Sequence, residues 1–126
     1  MIARYFWILG CLAAAPAHAQ FAPEPSSPNG AALFRGQCGT CHVLESGGAA
    51  RQGPHLAGVV GRKPGSVAGF KYSAGYEQAA FVWDPAHLDE YLTNPQALIA
   101  GSNMAYRQAK PEVRAAIISY LESQPR

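Results

Sequence analysis

The sequence predicts an all-α fold, and the clearest observation is an amphipathic pattern near the carboxyl terminus. Apolar and aromatic residues recur there at the i, i+3, i+4, i+7 and i+8 positions of one helix face: Val113, Ala116, Ile117, Tyr120 and Leu121. Capping residues and prolines also mark the starts of several shorter apolar segments. After residue 19, no segment shows the pattern of a strand hairpin or an internal repeat. Together these observations indicate one small helical domain.

Helices are expected to begin at five places in the chain, at Asn29, Ser73, Asp84, Asn94 and Pro111. Asparagine and aspartate favour a helix start because their side chains accept a hydrogen bond from a free amide of the first turn. Proline is favoured at the first helical position, which it occupies after both Asp84 and Asn94. The second helix is expected to end near residue 80 and the fourth near residue 99.

A segment rich in glycine and proline, from Ser46 to Gly69, is predicted to be a loop. Neither a helical nor a strand period persists through it. A loop of this length is unusual inside so small a domain. It is understandable if the loop wraps a flat cofactor, because a glycine-rich backbone can approach such a group closely.

The motif Cys38-Gly39-Thr40-Cys41-His42 is the pattern of a c-type haem attachment site. Two thiols three residues apart lie about one helical turn apart on one face, where both can add to the vinyl groups of haem. Gly39 and Thr40 are small enough to let the porphyrin lie close to the backbone. The motif therefore predicts one covalent haem c on Cys38 and Cys41, with His42 as the proximal iron ligand.

Two other kinds of site use similar residues. A thioredoxin-like redox pair needs a βαβ context, and no strand-forming segment precedes Cys38. A structural zinc site needs a fourth ligand beside the two thiols and the imidazole, which His55 or His87 would have to supply. Haem is the favoured interpretation because the rest of the chain offers an export signal and a second iron ligand.

Residues 1–19 have the features of a cleaved signal peptide. Arg4 supplies a positive start, residues 5–15 are apolar, and Ala17-His18-Ala19 matches an A-x-A cleavage site. The apolar run is shorter than the about 20 residues of a membrane-spanning helix, which argues against an anchor. A lipoprotein-like processing site at Cys11 fits less well because the apolar stretch before it is very short.

Cleavage would leave a proline-rich arm at residues 20–28, expected to be mobile, and one domain at residues 29–126. Loss of Arg4 removes one of 10 basic residues against 8 acidic ones, so the net charge falls to +1. That balance does not indicate binding to nucleic acid or to an anionic surface. Together with the signal-peptide features, these observations predict a periplasmic protein without a stable membrane anchor, and we expect it to be a monomer.

An electron carrier needs a second strong iron ligand, and Met104, His55 and His87 are the candidates. Met104 lies in an irregular polar segment just past a short helix, where its thioether is free to reach a metal. His87 is expected on the solvent side of its helix, one residue before the apolar Leu88. His55 follows Pro54 in the loop and is the stronger rival of Met104.

At these residues the chain resembles the class I cytochromes c of the mitochondrial and bacterial cytochrome c2 type. Besides the attachment motif, short motifs spaced along the chain carry the similarity: Gly53-Pro54-x-Leu56-x-Gly58, Gly61-Arg62-Lys63, Gly69-Phe70-Lys71-Tyr72-Ser73, Trp83, Tyr91-Leu92-x-Asn94-Pro95 and Gly101-x-x-Met104. Their separations agree with that family without insertions. The resemblance implies a small monohaem fold in which long loops wrap the haem and the first and last helices cross near Gly30, Phe34, Tyr120 and Leu121.

The resemblance also implies roles for single residues. Met104 would be the distal iron ligand, and Tyr91 would lie near its sulfur. The Pro54 carbonyl would accept a hydrogen bond from the imidazole of His42, which fixes the tautomer of that ligand. The buried haem propionate would be held by three polar side chains: Arg62, Tyr72 and Trp83.

Several residues depart from the family pattern. Ala100 stands where the family usually has proline, so the Met104 segment is expected to be less stiff. Tyr76 stands where mitochondrial members have a buried asparagine. Docking through a ring of lysines around the haem edge is also not expected, because other residues occupy those positions: Gln96, Ala97 and Asn103.

The resemblance implies a soluble electron carrier that moves one electron by an outer-sphere route and is not an enzyme. Its expected partners are redox proteins, such as a membrane quinol-oxidising complex, a terminal oxidase or a periplasmic dehydrogenase. The alternative is a haem enzyme or gas sensor, peroxidase-like or nitric-oxide-binding, with a labile distal ligand. Ala100 is the feature that favours this alternative.

Overall fold

The computed structural model describes residues 28–47, 49 and 51–125. The predicted signal peptide and the proline-rich arm up to residue 27 lie outside these residues. The described part contains no strand and five α-helices: α1 (Gly30–Gln37), α2 (Ala74–Glu77), α3 (Pro85–Thr93), α4 (Pro95–Leu98) and α5 (Pro111–Glu122). The prediction of an all-α fold is confirmed for this part of the chain.

Side-chain caps define the starts of the two longer helices that precede α5. Asn29 accepts a hydrogen bond from the Ala32 amide at 3.1 Å, at the start of α1. Asp84 accepts one from the His87 amide at 2.8 Å, at the start of α3. The residues that precede α2 and α4 make no such bond, and both of these helices are four residues long.

The second helix is shorter than predicted, since it ends at Glu77 and not near residue 80. Tyr76 is the one buried residue of α2, and Gln78 and Ala80 beyond it are exposed. Short helices depend on apolar burial for their stability, because their first turn is unfavourable on its own. Beyond Gln78 the chain leaves the helix although apolar residues follow, and the Trp83 amide donates instead to the Arg62 carbonyl at 2.9 Å.

The first and last helices cross at Gly30, as predicted. A Cβ atom at this glycine would lie 2.8 Å from the Cβ of Tyr120 and closer still to the carbonyl oxygen of Ala116. Phe34 packs beside the crossing, with its ring centroid 5.6 Å from that of Tyr120. Glycine therefore lets the two backbones approach. The crossing anchors α1, and the cysteine motif begins directly after that helix.

The last helix buries Arg114, Ile117, Ile118 and Leu121. The amphipathic pattern predicted Ile117 and Leu121 as buried but missed the other two. Arg114 donates from Nε to Oδ1 of Asp89 on α3 at 2.7 Å, and this bond raises the pKa of the guanidinium. The ion pair therefore joins α3 and α5 at a position that a pattern of apolar residues does not reveal.

The described residues between α1 and α2, and those between α4 and α5, form no helix or strand, which agrees with the loop predicted over residues 46–69 as far as that segment is described. Gly101 opens the second connection with φ +77°, a backbone conformation that favours glycine. Among the described residues, none of the helices combines the length and apolar character needed to cross a bilayer. The two connections border a common cavity.

Candidate haem site

A cavity of about 390 Å³ lies beside the two irregular connections. Its volume falls within the about 300–1,000 Å³ that is usual for cofactor sites. All the residues predicted to hold haem line it: Cys38, Cys41, His42, Pro54, Arg62, Tyr72, Trp83, Tyr91 and Met104. Among the described residues, no aspartate or glutamate lines this cavity. The fold therefore brings together side chains that are far apart in the chain.

The two cysteines reach the cavity because the turn after α1 continues its hydrogen-bond pattern. The Cys38 amide donates to the Phe34 carbonyl at 2.8 Å, and the His42 amide donates to the Cys38 carbonyl at 2.9 Å. No disulfide joins Cys38 and Cys41. Burial raises the pKa of the Cys38 thiol to about 11, with a smaller contribution from Cys41.

The imidazole of His42 is fixed in place by the loop that follows it. Its Nδ1 lies 2.8 Å from the Pro54 carbonyl oxygen, a distance that suits donation of the Nδ1 proton. This bond leaves Nε2 as the nitrogen with a free lone pair, as an iron ligand requires. Burial lowers the pKa of His42 and the bond to Pro54 partly offsets that effect, so the neutral ring is favoured.

The backbone of Gly53 lies directly against this imidazole. A Cβ atom there would lie 2.6 Å from Nδ1 and 2.8 Å from Nε2 of His42, and closer still to Cε1. The Gly53 amide also donates to the Cys41 carbonyl at 2.8 Å, which ties the loop to the cysteine motif. Absence of a side chain at this glycine is therefore what allows the loop to hold the ring.

Arg62 is a half-buried cation in the cavity wall. Its two terminal nitrogens donate to the carbonyl oxygens of Ala57 at 2.6 Å and His55 at 3.0 Å. Its Nε is buried without a hydrogen-bond partner, and none of the ion pairs among the described residues includes it. Desolvation lowers the pKa of Arg62 accordingly. A buried cation without a carboxylate needs an anion beside it.

Tyr72 and Trp83 flank this arginine. The Tyr72 hydroxyl accepts from the Val67 amide at 3.3 Å, and the Trp83 amide donates to the Arg62 carbonyl at 2.9 Å. Ser73, next to Tyr72, has a buried hydroxyl oxygen without a partner. From the sequence, Ser73 was predicted only as a helix start and as the last residue of a family motif, not as a residue of the site.

Three buried hydroxyl groups, here called the hydroxyl cluster, bond to one another between α2, α3 and the Met104 segment. They belong to Tyr76, Tyr91 and Ser102. The Tyr76 oxygen lies 2.5 Å from that of Tyr91 and 2.7 Å from that of Ser102, and the remaining separation is 3.1 Å. Burial raises the pKa of Tyr91, which favours the neutral form of this phenol. Sequence patterns could not reveal it, since its members are 11 to 26 positions apart.

These residues fit a covalently attached haem. The cavity offers two thiols for the vinyl groups, an imidazole and a thioether for the iron, and unpaired donors for a propionate. Among the described residues, no group of three His, Cys, Asp or Glu side chains is arranged to hold a single metal ion. The donor set is therefore that of a haem site.

The family model of cytochrome c matches residues 27–125 of this chain. The chain belongs to the cytochrome c family. It is 42% identical over 102 residues to a cytochrome c of Chlamydomonas reinhardtii, and the match covers 80% of this chain and 91% of that protein. It is 45% identical over 95 residues to the cytochrome c-550 of Novispirillum itersonii, covering 67% and 86%. A cytochrome c of Nigella damascena is 37% identical over 102 residues, covering 80% and 92%.

Membership in this family confirms the predicted resemblance and the cofactor. The cytochrome carries one covalently bound haem c, and Cys38, Cys41 and His42 form its attachment motif. The coarse function of this cytochrome is therefore haem-based electron transfer.

The two histidines considered as rivals of Met104 lie elsewhere. His55 borders a separate pocket with Gly47, Val67 and Phe70, and is absent from the wall of the haem cavity. His87 is half-buried and stacks on Phe81, with ring centroids 4.3 Å apart and the planes 2° from parallel. The His87 side chain is still 34% exposed, whereas Leu88 is buried, which agrees with the prediction that His87 lies on the solvent side of its helix. Phe81, which precedes α3 in the chain, covers part of the ring.

Proposed function

We propose that this cytochrome is an exported, monomeric electron carrier of the periplasm whose haem iron is bound by His42 and Met104. Bound haem supplies a one-electron iron couple, and the chain supplies two strong axial ligands and a shielded pocket. Such a site favours outer-sphere electron transfer through the haem edge over the binding of a substrate at iron. The single observation that carries the proposal is that both of these side chains line one cavity.

The other cavity residues are proposed to orient the ligands and balance the charge of the haem. Cys38 and Cys41 form the thioether bonds that keep the haem in place. The Pro54 carbonyl orients the proximal imidazole through the 2.8 Å contact with Nδ1. Tyr91 contributes to the wall on the side of Met104. The propionate is held by the guanidinium of Arg62, which has no carboxylate partner, together with Tyr72 and Trp83, which flank it.

Replacement of Met104 by alanine tests the ligand assignment. The ferric variant should lose the red charge-transfer band of sulfur-ligated haem, bind added carbon monoxide or cyanide, and have a lower reduction potential. The matched control is His55→Ala, which removes the rival side chain from outside the cavity and should leave the spectrum unchanged. If His55→Ala loses the low-spin spectrum and Met104→Ala keeps it, the iron has two histidine ligands and the proposal is wrong.

The alternative of a peroxidase-like enzyme or gas sensor makes a different prediction for the unmodified protein. An open or labile distal site would bind carbon monoxide in the ferrous state and cyanide in the ferric state without any mutation. Ala100, which replaces a proline near the Met104 segment, is the residue that favours it. We expect the unmodified cytochrome to bind both ligands poorly. Rapid binding would support the alternative.

Export and partners are proposed from the amino-terminal pattern and from the relatives. The signal-peptide features of residues 1–19 and the similarity to a bacterial cytochrome c-550 support a periplasmic location. Partners of matching function would be a membrane quinol-oxidising complex, a terminal oxidase or a periplasmic dehydrogenase. Amino-terminal sequencing of the protein from the periplasmic fraction should start at Gln20. Recovery of the intact Met1 terminus in the membrane fraction would contradict cleavage.

A further inference from the structure

The segment that carries Met104 has no regular secondary structure to hold it. Residues 102–110 are irregular throughout, and alanine stands at residue 100 where a proline would stiffen the chain. A thioether is a weak ligand that the iron can lose when its segment moves. Something other than helix geometry must therefore hold the Met104 backbone.

The side-chain amide of Gln96, at the start of α4, is bonded to that backbone. Its Nε2 donates to the carbonyl oxygen of Met104 at 2.6 Å and to the carbonyl oxygen of Ser102 at 3.2 Å. These two carbonyls lie on either side of Asn103. One side chain thus bonds the segment at the ligand residue and two residues before it.

The chemistry of the partners determines which way this amide points. An arginine can only donate hydrogen bonds, and a backbone carbonyl can only accept them. Arg107 donates to Oε1 of Gln96 at 2.8 Å, so the oxygen faces Arg107 and the nitrogen faces the two carbonyls. The opposite orientation would set the amide oxygen against two carbonyl oxygens. Gln96 is therefore held in the orientation that bonds the segment.

The hydroxyl cluster holds the same segment from the protein interior. The Ser102 hydroxyl contacts Tyr76 and Tyr91 and also accepts from the Met104 amide at 3.4 Å. Both polar backbone groups of Met104 are thus bonded, its amide by Ser102 and its carbonyl by Gln96. The interior contact orders Ser102, and the outer contact completes the restraint on Met104.

We propose that Gln96 is a positioning residue that keeps the Met104 sulfur on the haem iron by bonding the backbone of its segment. This inference rests on the proposed ligation by His42 and Met104. Its consequence is a closed distal side despite the missing proline at residue 100. Removal of the amide should increase the population in which Met104 has left the iron.

Imidazole binding to the ferric holoprotein measures that population, because imidazole binds only where the sulfur has left. Apparent affinity scales with the fraction of protein in the competent state. A neutral hydrogen bond changes an equilibrium by about twofold to tenfold, and two are lost here. Gln96→Leu, which removes the amide without adding charge, should therefore raise imidazole affinity by about tenfold. Gln96→Glu, which sets a carboxylate oxygen against the two carbonyls, should raise it at least as much.

The matched control is Ala97→Glu, which adds the same carboxylate on the exposed neighbouring residue of α4. It should leave imidazole affinity within twofold of the unmodified protein. The inference is overturned if the imidazole affinity of both Gln96 variants stays within twofold of that of the unmodified protein. It is also overturned if Ala97→Glu raises the imidazole affinity as much as Gln96→Glu does while Gln96→Leu has no effect. The red charge-transfer band of the unmodified ferric protein separates the two proposals. Its absence would refute Met104 ligation itself, whereas its presence with unchanged imidazole affinity in the variants would refute the role of Gln96 alone.

Discussion

Two glycines in α1 offer a matched test of the helix crossing, because only one of them lies against α5. A Cβ atom at Gly30 would lie 2.8 Å from the Cβ of Tyr120, which is 0.6 Å inside the 3.4 Å of ordinary contact, and it would lie closer still to the Ala116 carbonyl oxygen. A Cβ atom at Gly36 would meet nothing within 4 Å. The same Gly→Ala change therefore adds a clash at one position and none at the other.

The expected energies differ in sign. Overpacking against backbone that cannot rotate away costs about 1–3 kcal/mol, so Gly30→Ala should lower the free energy of unfolding by that amount. Gly36→Ala should raise it by about 0.5–1 kcal/mol, because alanine loses less backbone entropy in a helix than glycine. The two variants should thus differ by about 1.5–4 kcal/mol, or at least about 6 °C in Tm for a domain of this size.

Chemical denaturation of the two purified holoproteins, followed by far-ultraviolet circular dichroism, measures this difference. Both variants keep all the residues of the haem cavity, so their spectra at low denaturant should match that of the unmodified protein. A Gly30→Ala variant as stable as Gly36→Ala would show that the helices do not approach at Gly30. The account of the crossing would then be wrong.

Two further predictions concern the haem site. Gly53→Ala would push a methyl group onto the His42 ring and break the 2.8 Å contact between that ring and the Pro54 carbonyl. It should therefore lower the free energy of unfolding by about 1–3 kcal/mol and reduce the yield of holoprotein. Both quantities can be measured on purified samples. Stability within 0.5 kcal/mol of the unmodified protein would count against this role of Gly53. Electron transfer with the native partner should slow only a fewfold in stopped-flow measurements between 0.01 M salt and physiological strength. The screening length falls from about 30 Å to about 8 Å over that range, but Gln96, Ala97 and Asn103, which are expected to lie around the haem edge, carry no charge. A decrease of several tens of fold would reveal a basic docking patch.

The sequence was most informative where a side chain acts on its own backbone neighbourhood. Asn29 and Asp84 each accept the first-turn hydrogen bond that their position predicts. The cysteine motif is likewise local, since the turn after α1 carries Cys38, Cys41 and His42 to the wall of one cavity. Such features depend on residues three or four positions apart, which a pattern can represent.

Prediction was weaker where two distant segments meet. Arg114 looks like a polar residue on an exposed helix face until Asp89 of α3 is placed beside it. Ser102 and Gln96 look like ordinary loop and surface residues, and their function emerges only when α2, α3 and α4 are packed around the Met104 segment. A single sequence does not contain these distances.

At residue 76 this chain has a tyrosine where the resemblance to mitochondrial members implies an asparagine, and neighbouring hydroxyl groups accommodate it. Three hydroxyl groups carry three protons, and a closed ring of three hydrogen bonds uses each proton once. Tyr76 therefore adds a polar group to the cavity wall without adding a charge or an unsatisfied donor. The wall next to the haem then consists of neutral groups together with the cations Arg62 and Lys63, with no carboxylate among the described lining residues. Carboxylates would stabilise the more positive ferric state, so a wall without them should favour ferrous haem. The thioether of Met104 should favour ferrous haem as well. We therefore expect a reduction potential that is high for a c-type centre.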